Sequence, residues 1–361
     1  LMMVAMATGT GKTFTTVNLV YRLLKSKFAK RILFLVDRRS LAAQAVTAFA
    51  SFETPGKLKF NKEYEVYSQK FRKEDLEDEK FDPAVLPNKY LTEPDSSNTF
   101  LYISTIQRMA INLYGMEVGF ENSKDPEEET DADKMDIPIH AFDVIIADEC
   151  HRGYTSKEVN IWRNVLNHFD AIKIGLTATP AAHTIGYFNK PVYSYPLDRA
   201  IEEGFLVDYE AVAINSNVLM NGAFLKEGEQ VGMVDTETGK ETIDQLEDER
   251  EFTTTEIEEK ITSPETNHKI IEELKQYALD FEKENNRFPK IPIFAANDLS
   301  HISHADRIIK ICREVFNRGD DFVAKITGNA NVDRPLKRIR EFRNRPNPKI
   351  VVTVDMLSTG V

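Results

Sequence analysis

Cysteine is nearly absent from this sequence: there are two in 361 residues, Cys150 and Cys312, set far apart. That excludes a disulfide framework and fits a reducing compartment, the cytoplasm. Long apolar runs are missing as well. No stretch approaches the roughly 20 residues of a membrane-crossing helix, and the opening "LMMVAM" is too short, and lacks the flanks, to be a signal sequence. No membrane partner is therefore expected. Positive charge is in deficit, with 46 Lys and Arg against 58 Asp and Glu and a net charge of −12, which at first argues against a nucleic-acid partner. The deficit is concentrated, however. Residues 115–140 hold nine acids and two lysines, and residues 226–265 hold fourteen acids and four bases. Setting aside these 17 net negative charges leaves +5 on the remainder, so the body of the chain is mildly basic.

Both acidic segments read as solvated insertions, one at about 115–140 and one within about 215–265. The first is a polar loop by composition; the second suggests a hairpin followed by a mobile linker. Each is a solubilising loop or, less simply, an acidic lid that repels nucleic acid. The length and a 42% hydrophobic fraction are enough for two domains with cores of their own. The chain opens on what reads as the last residues of a strand and stops just after another, as expected of an internal segment of a longer protein.

Between the insertions, strands and helices alternate. Apolar, β-rich runs fall at 31–37, 100–105, 142–149 and 171–179, and again at 291–297, 322–328 and 349–355. Amphipathic patterns such as "KTFTTVNLVYRLLKS" and "SHADRIIKICREVFNRG" lie among them. Nearly continuous apolar strands separated by such helices predict an α/β protein with parallel sheets covered by helices on both faces. Four of these strands before about residue 200 and three after 290 predict two domains in tandem, residues 1–203 and 204–361.

"MATGTGKT" (6–13) joins a strand end to a helix start with the spacing of a phosphate-binding loop, although Met6 occupies the position usually held by a small residue. The residue types match the physics. Thr8, Gly9, Thr10 and Gly11 offer backbone N–H groups to phosphates, and the helix N-terminus adds its partial positive charge. Lys12 reaches the β and γ phosphates, and Thr13 offers a hydroxyl to Mg²⁺.

"DVIIADECHRG" (143–153) sets two carboxylates beside a thiol and an imidazole. A cysteine nucleophile needs a lowered pKa and a base in reach, and zinc needs more Cys and His ligands than this sequence clusters anywhere. A strand that ends at the carboxyl edge of a parallel sheet instead makes Asp148 a Mg²⁺-associated aspartate and Glu149 the base for an attacking water. His151 is left to sense the γ-phosphate or link the nucleotide to the neighbouring domain. "GLTATP" (175–180) places Thr177 and Thr179 at the end of the next buried strand, where hydroxyls can transmit nucleotide state.

"MATGTGKT", "ADECHRG", "GLTATP" and "VVTVDMLSTGV" together resemble motifs I, II, III and V of superfamily 2 helicases and translocases. Within that superfamily the chain most resembles the motor of the R subunit of type I restriction enzymes. "FLVDRRSLAAQA" (34–45), "STIQRM" (104–109), "YSYPLDRAIEEGFLVDYEAV" (193–212) and the stretch from Ile326 to Val361 carry the narrower likeness. The resemblance implies two RecA-like domains with ATP and Mg²⁺ in the cleft between them, the second domain incomplete. It implies double-stranded DNA as the track, and methyltransferase (M) and specificity (S) subunits as partners. Arg38, Gln44, Thr105 and Arg108 fall in motifs Ia and Ib, along the DNA backbone, where phosphate contacts position the duplex without reading bases. Thr353, Ser358 and Thr359 of motif V are implied near DNA, and Gly360 near the nucleotide; "FAAND" (294–298) is motif IV. The competing reading of Arg38 and Arg39 is surface charge at a helix start; that of motif V is a strand end and an ordinary turn.

Two departures qualify the likeness. Motif VI, which supplies the family's transition-state arginine, is not in this sequence, and a missing arginine finger costs on the order of 10³ in rate, so this segment is expected to bind ATP and hydrolyse it weakly. The family's nuclease domain is not in it either; "PETNHKIIEELK" (264–275) has the acids and lysine but a helical register. The readings to separate are a double-stranded DNA translocase, another superfamily 2 helicase, and a nucleotide-switched regulatory ATPase.

Overall fold

The computed structural model describes residues 1–71, 83–116, 132–151, 156–212, 223–225, 230–234, 241–245, 250–252, 264–299, 303–328, 332 and 335–354. The chain divides into two compact units, Leu1–Asp208 and Tyr209–Val361.

The first unit is built on eight strands: β1 (Met2–Met6), β2 (Arg31–Val36), β3 (Glu65–Ser68), β4 (Ala84–Val85), β5 (Phe100–Thr105), β6 (Val144–Ala147), β7 (Ile172–Thr177) and β8 (Tyr193–Tyr195). They form one sheet in the order β4-β3-β5-β2-β6-β7-β1-β8, with every neighbouring pair parallel. Because side chains alternate across a strand, the sheet divides its apolar residues between two cores. Leu33, Leu35, Tyr102, Ile145 and Ala147 face one side, against the helices Ile106–Tyr114 and Ser156–His168. Ile32, Phe34, Val36, Ile103 and Ile146 face the other, with Val17, Val20 and Leu24 of the helix Lys12–Lys25 and Val46 and Phe49 of the helix Arg39–Ser51. Both faces are covered, which is why β2 and β5 read as unbroken apolar runs.

The part of the first acidic insertion that is described, from Ala132 onward, is not a free loop. Ala132 and Ile137 are buried, Asn112 bonds both the carbonyl of Asp133 and the N–H of Met135, and His168 Nε2 lies 2.8 Å from the Ile137 carbonyl. Residues 117–131 of that insertion lie outside the described residues.

The second unit carries a three-stranded parallel sheet, order β13-β15-β14, from β13 (Ile291–Phe294), β14 (Val323–Lys325) and β15 (Ile350–Thr353). The helices Pro264–Asn285 and His304–Phe316 pack against it through Ile271, Ala278, Ile308, Cys312 and Phe316. Its acidic insertion forms two antiparallel pairs: β10 (Gln230–Val234) with β11 (Glu241–Gln245), and β9 (Ala223–Leu225) with β12 (Arg250–Phe252).

Candidate functional site

In a parallel α/β sheet the loops after the strands' carboxyl ends collect on one edge, and the site is assembled there. The loop after β1 turns into the helix Lys12–Lys25 through two left-handed glycines, Gly9 at φ 85° and Gly11 at φ 88°. At Gly11 a Cβ would meet no described residue within 4 Å, and the left-handed backbone itself calls for glycine there; at Gly9 it would lie 3.2 Å from Leu206 Cδ2. The Thr10 hydroxyl donates to the Ala7 carbonyl at 2.6 Å and pins the loop. Thr8, Gly9, Gly11 and Thr13 are exposed, and Thr10 and Lys12 partly so. The helix N-terminus has no side-chain cap and no acid in its first turn, which leaves its N–H groups and partial positive charge for an anion.

Lys12 reaches from this helix to the loop after β6. Its Nζ lies 2.5 Å from Glu149 Oε1 and 3.3 Å from Asp148 Oδ1, with all three side chains under one fifth exposed. The strand ends at Ala147, and Glu149 takes a left-handed conformation at φ 50°. That is an uncommon backbone for a non-glycine residue and costs on the order of 1–3 kcal/mol. The turn is held from three sides: Asp148 N–H donates to Leu35 O at 2.8 Å, Glu149 N–H to Asp148 Oδ1 at 3.0 Å, and Cys150 N–H to Leu176 O at 3.0 Å.

Charge in this cluster is not balanced. Burial works against the Lys12 ammonium, but the carboxylates of Asp148 and Glu149 outweigh it and hold its pKa above the ordinary value. Burial, together with the like charge of Glu149, pushes the Asp148 carboxyl above its usual range in spite of Lys12. Among the described residues, one lysine thus serves two acids that are each under one fifth exposed. Glu149 Oε2 is sealed from solvent and takes part in no hydrogen bond among the described residues, with His151 Nδ1 3.4 Å away. An additional cation and a proton donor at this edge would satisfy both deficits, which is the donor set expected for Mg²⁺ and water beside a triphosphate. Among the described residues no group of three or more His, Cys, Asp or Glu could hold a metal alone.

His151 and Thr177 meet: Nδ1 lies 2.8 Å from Thr177 Oγ1, which also accepts the Thr179 N–H at 3.1 Å. Thr177 is fully buried and Thr179 exposed. The loops after β6 and β7 are therefore bonded to each other one step from Glu149. Cys150 lies beneath them, 7% exposed, and burial pushes its thiol up to about 12, the opposite of an activated nucleophile.

The other sequence-singled residues are more dispersed. Arg38 stands at the N-cap position of the helix Arg39–Ser51, without a side-chain capping bond, and pairs with Asp37 at 3.3 Å; Gln44 on that helix is half-buried. Arg39, a surface charge in one sequence reading, is buried, donating to the Lys70 carbonyl at 2.9 Å. Thr105 is buried and accepts the Arg108 N–H, capping the helix Ile106–Tyr114; Arg108 is half-buried. In the second unit Thr353 ends β15 with its hydroxyl buried and without a hydrogen-bond partner among the described residues. Ser358, Thr359 and Gly360 lie outside the described residues. A feature that sequence reasoning missed is Asp298, the last residue of "FAAND". It accepts from Ser303 at 2.6 Å, from Lys325 at 3.1 Å and from Thr327 at 2.5 Å, tying the ends of β13 and β14 together. Acid, lysine and hydroxyls stand 5 to 29 positions apart in sequence, so only the sheet reveals the group.

Residues 1–182 match the family model described as "Type III restriction enzyme, res subunit". Over 99% of its length the chain is 33% identical to the type I restriction enzyme EcoKI endonuclease subunit of Escherichia coli (strain K12), and 30% identical to the EcoAI endonuclease subunit of Escherichia coli. It spans 28% and 38% of those two proteins. Among solved structures, all of the chain aligns with 51% of a fragment described as the HsdR subunit of a type I restriction enzyme from Vibrio vulnificus YJ016, at TM-score 0.50 and 20% identity. It aligns likewise with 23% of the ATP-dependent Type ISP restriction-modification enzyme LlaBIII bound to DNA, at TM-score 0.53 and 16% identity. At such identities the structural likeness speaks for the fold, a RecA-like α/β architecture.

Proposed function

Since the chain belongs to the superfamily 2 family of restriction-enzyme R (res) subunits, we propose that it is the ATP-driven double-stranded DNA translocase motor of a type I R subunit. The observation that carries the reading is the contact of Lys12 with Asp148 and Glu149, backed by His151 on Thr177, at the carboxyl edge of the sheet. Three motifs far apart in sequence meet there, in an arrangement suited to recognition and hydrolysis of a γ-phosphate.

Each group has a task in that chemistry. The loop N–H groups from Thr8 to Thr13 receive the phosphates, and Thr13 and Asp148 would hold Mg²⁺, which when bound would supply positive charge at the phosphates. Lys12 cannot serve both Glu149 and a phosphate at short range, so ATP draws it away and frees the Glu149 carboxylate. Glu149 then takes a proton from water as the oxygen attacks the γ-phosphorus and the bond to the bridging oxygen breaks, releasing ADP. His151 and Thr177 carry the change to the β7 loop. Arg38, Gln44, Thr105, Arg108 and the motif V residues are assigned to the DNA backbone in this reading. The parent protein works in the cytoplasm with M and S subunits that choose the site.

Triplex displacement by the full-length protein assembled with its partners tests the motor. ATP-dependent displacement of a third strand from duplex DNA, without unwinding of a simple forked oligonucleotide, is the expected result. Unwinding without displacement would move the assignment to a strand-separating helicase.

A further inference from the structure

The strand order fixes which way a bound nucleotide runs. Asp148 and Glu149 follow β6, which is separated from β1 by β7, while β1 has β8 as its other neighbour. Strands stand about 4.8 Å apart, so the acids after β6 stand about 10 Å from β1, and the γ-phosphate end points toward that side. With the phosphates cradled on the loop after β1, the sugar and base extend over β8 and the segment leading out of it.

That segment ends in a braced turn. After the helix Leu197–Glu202, Gly204 takes φ 76°, and the Ala200 carbonyl accepts the N–H groups of both Phe205 and Leu206, at 2.9 and 3.0 Å. Leu206 packs with Met6, Tyr195 and Ala200 and comes against Gly9 of the phosphate loop. The turn is secured from behind as well, with Glu203 accepting from the Tyr195 hydroxyl at 2.6 Å and from Arg199 at 2.7 Å. The backbone at Phe205 is thus braced directly and through its neighbour, yet the residue is 73% exposed. An uncovered aromatic residue on a braced backbone, next in sequence to the leucine seated on the phosphate loop, is suited to a flat apolar ligand group.

We infer that Phe205 is a base-binding residue of the nucleotide site, giving one stacking face to the purine of ATP. The inference rests on the nucleotide reading of the loop after β1 and adds a specificity determinant inside this chain, where the sequence analysis singled out none. Stacking recognises a ring face rather than a pattern of donors, so the contribution is to affinity for a nucleobase over a bare sugar triphosphate.

The test compares Mg²⁺-dependent binding of ATP and of ribose 5′-triphosphate, which has no base, to the full-length protein and to its Phe205→Ala, Phe205→Tyr and Lys12→Ala variants. Phe205→Ala is expected to weaken ATP about tenfold, about 1.4 kcal/mol, and to leave ribose triphosphate unchanged. Phe205→Tyr is expected to restore ATP binding, and Lys12→Ala to weaken both ligands. If Phe205→Ala weakens neither ligand, or both alike, while Lys12→Ala still weakens both, the base-stacking role is overturned and the nucleotide site stands. If Lys12→Ala leaves both ligands unaffected, the nucleotide reading falls and this inference with it.

Discussion

Replacing Lys12 by Met removes the ammonium that, among the described residues, serves the Asp148 and Glu149 carboxylates. Removing one partner of a buried ion pair costs about 3–5 kcal/mol, and since these side chains keep 6% to 18% of their surface, the lower end, about 3 kcal/mol, applies. In a unit of this size 1 kcal/mol moves the melting midpoint by roughly 2–4 °C, so a fall of roughly 6–12 °C is expected at pH 8. The cost depends on pH in a defined direction. Asp148 already has a folded-state pKa above its ordinary 3.8, and losing Lys12 raises it further. Such a group stabilises the fold while protonated: the contribution is full below the unfolded value and is lost as pH rises through the folded value. The Lys12 pKa is itself raised, so its charge in the wild type is constant across this window. The penalty should therefore be smaller at pH 5 than at pH 8, and Lys12→Met combined with Asp148→Asn should recover part of it, the Glu149 carboxylate still being without its lysine. Trp162, the only tryptophan in the chain, is 7% exposed in the core of the first unit, so its fluorescence reports melting of that unit. An equal penalty at both pH values, or a double variant no more stable than the single one, would refute the electrostatic account.

Three further substitutions probe separate parts. Gly11→Ala forces a side chain into φ 88° with no described residue within 4 Å of it, so the same fluorescence melt should show a conformational loss of about 1–2 kcal/mol, with Gly11→Asn losing less. Thr177→Val keeps the volume and removes the oxygen that meets His151 and Thr179; DNA stimulation of ATP turnover should fall about tenfold, about 1.4 kcal/mol, while DNA-free turnover changes little. An equal fall in both would make Thr177 merely structural. Asp298→Ala takes the common acceptor from Ser303, Lys325 and Thr327, and hydrogen exchange across β13 and β14 should show about 2–3 kcal/mol less protection. Burial opposes the Asp298 charge, but those donors outweigh it and depress its pKa, so its contribution is present above the ordinary value of 3.8 and is lost as pH falls through the folded value.

Much of the fold and the site was legible because it is local. β2 and β5 announce themselves as unbroken apolar runs, since both faces of the sheet are covered, and the phosphate loop is one contiguous string of glycines, lysine and threonine. The short strands are harder to see. β3, β4 and β8 are two to four residues long, too short for periodicity to accumulate. Glu149 was legible by type but not by conformation. Its left-handed backbone arises because the turn is held by Leu35 and Leu176, on strands far away in sequence. Arg39 shows the same limit, since a charge at a helix start reads as exposed until the segment at Lys70 and Phe71 is found covering it. The Asp298 group and the seat of Leu206 on Gly9 are products of sheet order, which no short window contains.

The most direct test is steady-state ATP hydrolysis by the full-length protein assembled with its partner subunits, with and without duplex DNA, beside Glu149→Gln. Strong stimulation by DNA is expected in the wild type, with a loss of at least about 10²-fold in the variant, the usual scale for removing a general base. Turnover indifferent to DNA would contradict the motor, and a fully active Glu149→Gln would contradict the assignment of the carboxylate that Lys12 holds.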